Sequence, residues 1–80
     1  MIKLLVLPNQ ILISQIEEVG SELGEPDCKL IEPYVVGSDG ITPWLMEHTI
    51  QSEFMISSDK VLTMAEPNNQ LLEKYKNVLS

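Results

Sequence analysis

Residues 53–66 read EFMISSDKVLTMAE. Two short apolar pieces, residues 53–56 and 61–64, have the composition of strands and are joined by the polar tetrad Ser57, Ser58, Asp59 and Lys60. Ser and Asp side chains hydrogen-bond nearby backbone, so the tetrad is a competent turn. The stretch therefore reads as strand, turn and strand.

Working outward, residues 2–7 form a continuous apolar run with one lysine, the length of a buried strand, and Pro8-Asn9 marks a tight turn after it. Residues 11–19 are rich in β-branched side chains, but the apolar phase shifts: Ile11 and Ile13 fall on one face and Ile16 on the other, with Ser14 and Gln15 between. A strand whose buried face changes at a small residue is expected to be bent or bulged there. Residues 20–27, GSELGEPD, read as a solvated loop, and residues 28–36 as a third strand with Pro33 at an edge or bulged position. Residues 37–43 read as a second loop, and Trp44 to Ile50 as a helical turn or the opening of a fourth strand. The fourth strand is placed at residues 48–57 and the fifth at 60–65.

After Glu66-Pro67, which reads as a helix start with Pro at the first helical position, Leu71, Leu72, Tyr75, Val78 and Leu79 repeat at helical spacing. They form one apolar face of an amphipathic helix over about residues 67–79, expected to pack on its own barrel, with a neighbouring subunit as the alternative. Five strands and a C-terminal helix describe one small, mostly β domain, of α+β or barrel type, with no internal repeat.

Composition limits what such a domain does. A chain of 80 residues buries only about 60–65% of the surface its unfolded form exposes. Cys28 is the lone cysteine, so neither an internal disulfide nor a cysteine zinc site supplies the missing stability, and self-association is the favoured source. Twelve acidic residues against five lysines and no arginine give a formal net charge of −7. That charge disfavours duplex DNA and anionic membranes, and the lack of arginine removes the usual bidentate phosphate and guanine ligand. The start, MIKLLVLPNQ, is too short and wrongly flanked for a signal peptide, and no apolar stretch is long enough to span a bilayer. A cytoplasmic protein is the expectation.

The pattern resembles the Sm-like (LSm) family, small, strongly bent five-stranded barrels of SH3 type that assemble into rings and bind RNA. LLVLPNQILISQIEEV looks like the first half of that family's first motif, with Pro8-Asn9 at the turn, Ser14 at the small bent position and Ile16 at the apolar position two beyond. Asp27-Cys28-Lys29-Leu30 is a loose match to its second half. In Ile56-Ser57-Ser58-Asp59-Lys60-Val61 the apolar ends match the second motif, while Ser57 stands where the family has Arg and Ser58 where it has Gly. Some phage-encoded Sm-like proteins look similar. The resemblance covers about residues 2–65 and implies a cyclic homo-oligomer, from pentamer to heptamer. It implies RNA contacts at Asp27, Lys29, Ser57, Ser58, Asp59 and Lys60, and an interface drawn from Phe54, Met55, Ile56, Leu62 and Met64. A protein-interaction scaffold that docks a basic partner and has lost RNA binding is the alternative, and an SH3-like monomer a third reading.

No constellation points to an enzyme, a metal or a cofactor. Glu17 and Glu18 are adjacent on a strand and face opposite ways, and with Glu22, Glu25 and Asp27 they lack the spacing of a calcium loop. His48 has Glu47 beside it but no nucleophile context. Cys28 has no His or Arg placed to lower its pKa. Trp44 either stacks a base or partner or covers the core.

Overall fold

The structure, a computed structural model, describes residues 1–20 and 26–80. It is mostly β: β1 (Ile2–Leu7), β2 (Gln10–Glu18), β3 (Cys28–Gly37), β4 (Gly40–Pro43), β5 (Glu53–Ile56), a 3-10 turn at Ser58–Lys60, β6 (Thr63–Ala65) and a C-terminal helix α1 (Asn69–Leu79). The antiparallel sheet runs β4-β3-β2-β1-β6, and β5 pairs with β3. Its two ends are not joined by a ladder among the described residues, so the sheet is an open, bent layer where a closed five-stranded barrel was expected.

β1 and β2 pair without interruption from Ile2↔Gln15 to Leu7↔Gln10, across the turn that Pro8 and Asn9 make. Leu5 faces Leu12, and Leu12 faces Val35, which puts all three on one face of the sheet. With Cys28 and Leu30 they form the core, flanked by Leu7, Ile16, Trp44, Phe54, Ile56 and Val61. Leu4, Ile13 and Tyr34 share the opposite face by the same register. There the ring of Tyr34 meets the ring of Tyr75 edge-on at 5.7 Å.

This two-sided burial changes the reading of β2. Leu12, Ile13 and Ser14 are consecutive and all fully buried, so β2 keeps strict alternation while the helix covers the outer face. The slip in phase lies in β3. Ile13 pairs with Tyr34 and Gln15 with Ile31, so two steps on β2 match three on β3 and the extra residue sits at Glu32–Pro33. Glu32 takes a positive φ of 55° to make this bulge. Without the slip, Val35 on one side and Leu30 on the other would lie on opposite faces.

The bulge also divides the next strand in two. β4 pairs with residues 34–37 of β3 and β5 with residues 28–31, so both lie along the same edge. The Trp44 amide donates to the Pro33 carbonyl (2.9 Å) and the Glu32 amide to the Ser52 carbonyl (2.7 Å), which fixes both ends of the intervening excursion at the bulge. The expected loop at 37–43 thus contains β4, and the expected strand at 48–57 is shortened to Glu53–Ile56. The strand expected at 60–65 keeps only Thr63–Ala65, since the chain first makes its 3-10 turn.

α1 begins two residues later than the Pro67 signal. Asn68 is the N-cap, and its side-chain oxygen accepts the Leu71 amide at 2.8 Å. Pro67 precedes the cap and so lies outside the helix. Tyr75 is the helix's fully buried residue, Leu71, Leu72 and Leu79 are half-buried, and Val78 remains exposed. No helix among the described residues is long and apolar enough to cross a membrane.

Candidate functional site: the rim between Asp27 and the Ser57–Lys60 turn

Asp27 precedes β3, and Ser58 opens the 3-10 turn after β5. Because β5 pairs with the first residues of β3, with Cys28 opposite Ile56, the two polar segments that flank this pair meet at one rim of the sheet. The Ser58 amide donates to Asp27 Oδ1 and the Ser58 hydroxyl to Asp27 Oδ2, both at 2.8 Å. These two bonds, the amide's first, hold the Asp27 carboxyl below its ordinary value of 3.8. Ser57 caps the turn through its backbone, where its carbonyl accepts the Lys60 amide at 3.0 Å. Asp59 and Lys60 are exposed at the tip of the turn.

Lys29 does not join this cluster. It lies on β3 opposite Met55, and its ammonium pairs diagonally with Glu53 at 3.1 Å. The hydrogen bond to Glu53 and the charge of that carboxylate raise the Lys29 pKa. The pair is partly exposed to solvent, which screens it, so it positions Lys29 more than it stabilises the fold. Of the six residues singled out as RNA contacts, five gather at the rim and one is engaged elsewhere.

Beside the rim, the concave face of the sheet opens into a cavity of about 440 Å³ lined by Ile16, Val19, Cys28 and Met64, with Lys3 and Glu18 at its margin. The Cys28 thiol is buried, and burial first, then the charges of Asp27 and Glu18, push its pKa up. It is held as the protonated, poorly nucleophilic form. Lys3 reaches the other way to Glu66 at 3.0 Å. Sequence reasoning did not find this cavity, because its lining comes from four separate strands whose register was not readable.

The remaining candidates are dispersed. Glu17 and Glu18 are exposed at the end of β2, while Glu22 and Glu25 lie outside the described residues. Among the described residues no three His, Cys, Asp or Glu side chains are placed to hold a metal ion. His48 is exposed, and its amide donates to the Leu45 carbonyl at 2.9 Å. Trp44 covers the edge of the core, edge-on to Phe54 at 5.2 Å. Phe54 and Ile56 also pack on the core, whereas Met55, Leu62 and Met64 are exposed near the free edges of β5 and β6.

Two features had weaker sequence signals. Leu45, Met46 and Ile50 stand exposed on the excursion between β4 and β5, where an apolar stretch after Pro43 was read as strand or helix. On the outer face the Tyr75 hydroxyl accepts the Gln15 amide (3.1 Å) and reaches the carbonyls of Glu32 (2.7 Å) and Ile31 (3.1 Å), while the Ser14 hydroxyl also bonds the Ile31 carbonyl (3.1 Å). Tyr75 and Ser14 thus satisfy the backbone groups that the bulge leaves without ladder partners.

Comparison with known sequences gives a full-length match. Residues 1–80 match the family of unknown function DUF6561. The chain belongs to that family. No curated protein matches it. In this DUF6561 domain the Asp27–Ser58 rim and the Tyr75 contacts at the bulge are the polar features that the fold brings together.

Proposed function

We propose that the protein is a ring-forming Sm-like subunit whose ring binds single-stranded RNA weakly at the rim of Asp27 and the Ser57–Lys60 turn. The observation that carries this reading is the pair of hydrogen bonds from Ser58 to Asp27. They bring together two segments 31 residues apart that the resemblance alone assigned to one RNA site. Assembly draws support from the two sheet ends. β5 is bonded to β3 on one side and β6 to β1 on one side, and each leaves its other edge without a partner strand among the described residues. Two different free edges on one subunit suit a head-to-tail contact, which closes into a ring when the rotation permits.

Weak affinity follows from charge. Lys29 is committed to Glu53, Asp27 already occupies the donors of Ser58, and the chain carries −7 overall. Lys60, repeated around a ring, is the cation the turn offers to phosphate. Filter binding with short U-rich and A-rich RNAs at low salt should saturate below about 1 mM, and no saturation in that range overturns RNA binding.

The same charge pattern supports a second reading, an acidic ring that serves as a scaffold for a basic protein. Purification from native lysate distinguishes them. Recovery of RNA without protein contradicts the scaffold.

A further inference from the structure

We propose that the Glu32–Pro33 bulge is a coupling joint: seating of α1 on the outer face of the sheet holds the excursion of residues 44–52 in place, and engagement of the excursion is felt in turn at the helix. The joint is a property of the single chain and does not depend on the ring.

Glu32 carries both contacts. Its amide donates to the Ser52 carbonyl at 2.7 Å, and its carbonyl accepts the Tyr75 hydroxyl at 2.7 Å. The first bond holds the return end of the excursion and the second holds the helix. One peptide further on, the Pro33 carbonyl accepts the Trp44 amide at 2.9 Å and so holds the outgoing end. The peptide between Glu32 and Pro33 is planar and the proline ring fixes φ, so a single soft torsion, ψ of Pro33, separates the carbonyl held by Tyr75 from the carbonyl held by Trp44. A turn of the first carbonyl is therefore carried to the second.

The joint has two settings. Glu32 is held at φ 55°, a left-handed conformation that a residue with a side chain adopts when its surroundings impose it. The polar contacts around it come from the Tyr75 hydroxyl, the Ser52 carbonyl and the Ser14 hydroxyl, which bonds the neighbouring Ile31 carbonyl at 3.1 Å. Once the Tyr75 bond is lost, relaxation of Glu32 to a negative φ turns its amide away from Ser52 and swings the Pro33 carbonyl, so both roots of the excursion open together. The helix is suited to be the moving part. It has 11 residues, too few for a stable helix on its own, and Tyr75 is its one fully buried residue. The excursion presents Leu45, Met46 and Ile50 to solvent. The joint thus links α1 to an exposed apolar surface, and the coupling has equal strength in both directions.

The test is native-state hydrogen exchange of the full chain, followed by NMR over a range of low urea concentrations. Amides that open in one cooperative unit share one opening free energy and one urea dependence. The amides of Leu72 and Tyr75 report the helix, those of Glu32 and Trp44 report the two roots of the excursion, and the uninterrupted β1–β2 ladder reports global unfolding. Helix and root amides should open together and before the ladder, with protection factors that agree within about threefold. In Tyr75→Phe, checked for folding by circular dichroism, the two sets should part and the root amides should exchange at least about tenfold faster than in the parent. Helix amides that exchange while Glu32 and Trp44 stay protected overturn the joint. So does one opening shared by every amide, ladder included, or a shared urea dependence of helix and roots that survives Tyr75→Phe. Each of these results leaves the ring and RNA reading standing.

Discussion

Removing one oxygen atom, by Tyr75→Phe, tests how the helix and the bulge hold each other. The ring stays buried against Tyr34, so volume is conserved and the change isolates the hydroxyl. That hydroxyl takes the Gln15 amide at 3.1 Å and donates to the Glu32 carbonyl at 2.7 Å. The Ile31 carbonyl keeps Ser14 as a partner at 3.1 Å. One buried amide and one carbonyl are left without partners, and a stranded polar group costs about 1–3 kcal/mol. We expect a loss of about 2–3 kcal/mol, which is a large share of the roughly 4–12 kcal/mol such a domain has. At about 4–8 °C per kcal/mol for this size, Tm should fall by roughly 8–24 °C. Urea denaturation followed by circular dichroism measures the first figure and a thermal scan the second. A loss below about 0.5 kcal/mol would show that the hydroxyl does not lock the bulge. The pH dependence gives an independent check. Burial raises the Tyr75 pKa above its ordinary 10.0, so the folded state holds this proton more tightly than the unfolded one. The associated stability is complete below pH 10 and declines as pH rises through the folded value. Tyr75→Phe should abolish that alkaline decline.

Three further outcomes follow. Glu32 sits at φ 55°, a region that costs a non-glycine residue about 1–2 kcal/mol; after the entropy a glycine loses on folding, Glu32→Gly should raise stability by about 0.5–1 kcal/mol in urea. Destabilisation would show that the side chain contributes more than the backbone strain costs. The Asp27 pKa is lowered by Ser58, so the clamp is intact above pH 3.8 and is lost as pH falls through the lower folded value. An NMR titration of the Asp27 carboxyl should have its midpoint below 3.8, and a midpoint at or above it contradicts the clamp. Ser57→Arg should tighten RNA binding and steepen its salt dependence, by about 0.7 in log–log slope for each added phosphate contact. Unchanged affinity would mean the turn does not face RNA.

Strands β1, β2 and β3 and the helix were legible in the sequence because each carries enough apolar residues to declare its period. The bend was legible only in part. Ser14 and Pro33 both signalled it, yet the apolar shift in β2 reflects cover by the helix, and the bulge itself is in β3. Ile13 cannot announce from sequence that Tyr75 will cover it. β4 was hidden by Gly40 and Pro43, which read as loop until pairing with β3 supplies the hydrogen bonds. The helix start moved to Asn69 because Asn68 supplies the cap, while Pro67 remains outside. At the rim, the Asp27–Ser58 contact joins distant segments through the β3–β5 register, and a register is not a local property. The engagement of Lys29 by Glu53 was invisible for the same reason.

Head-to-tail assembly through the β5 and β6 edges is proposed to complete this acidic domain. The direct measurement is the mass in solution at neutral pH by multi-angle light scattering, repeated as salt is raised. At −7 per chain, subunits repel and screening should strengthen association. A ring is expected as a discrete species of pentamer to heptamer mass that persists or becomes more populated with salt. The mass of one chain, 9.0 kDa, at every salt concentration would contradict it.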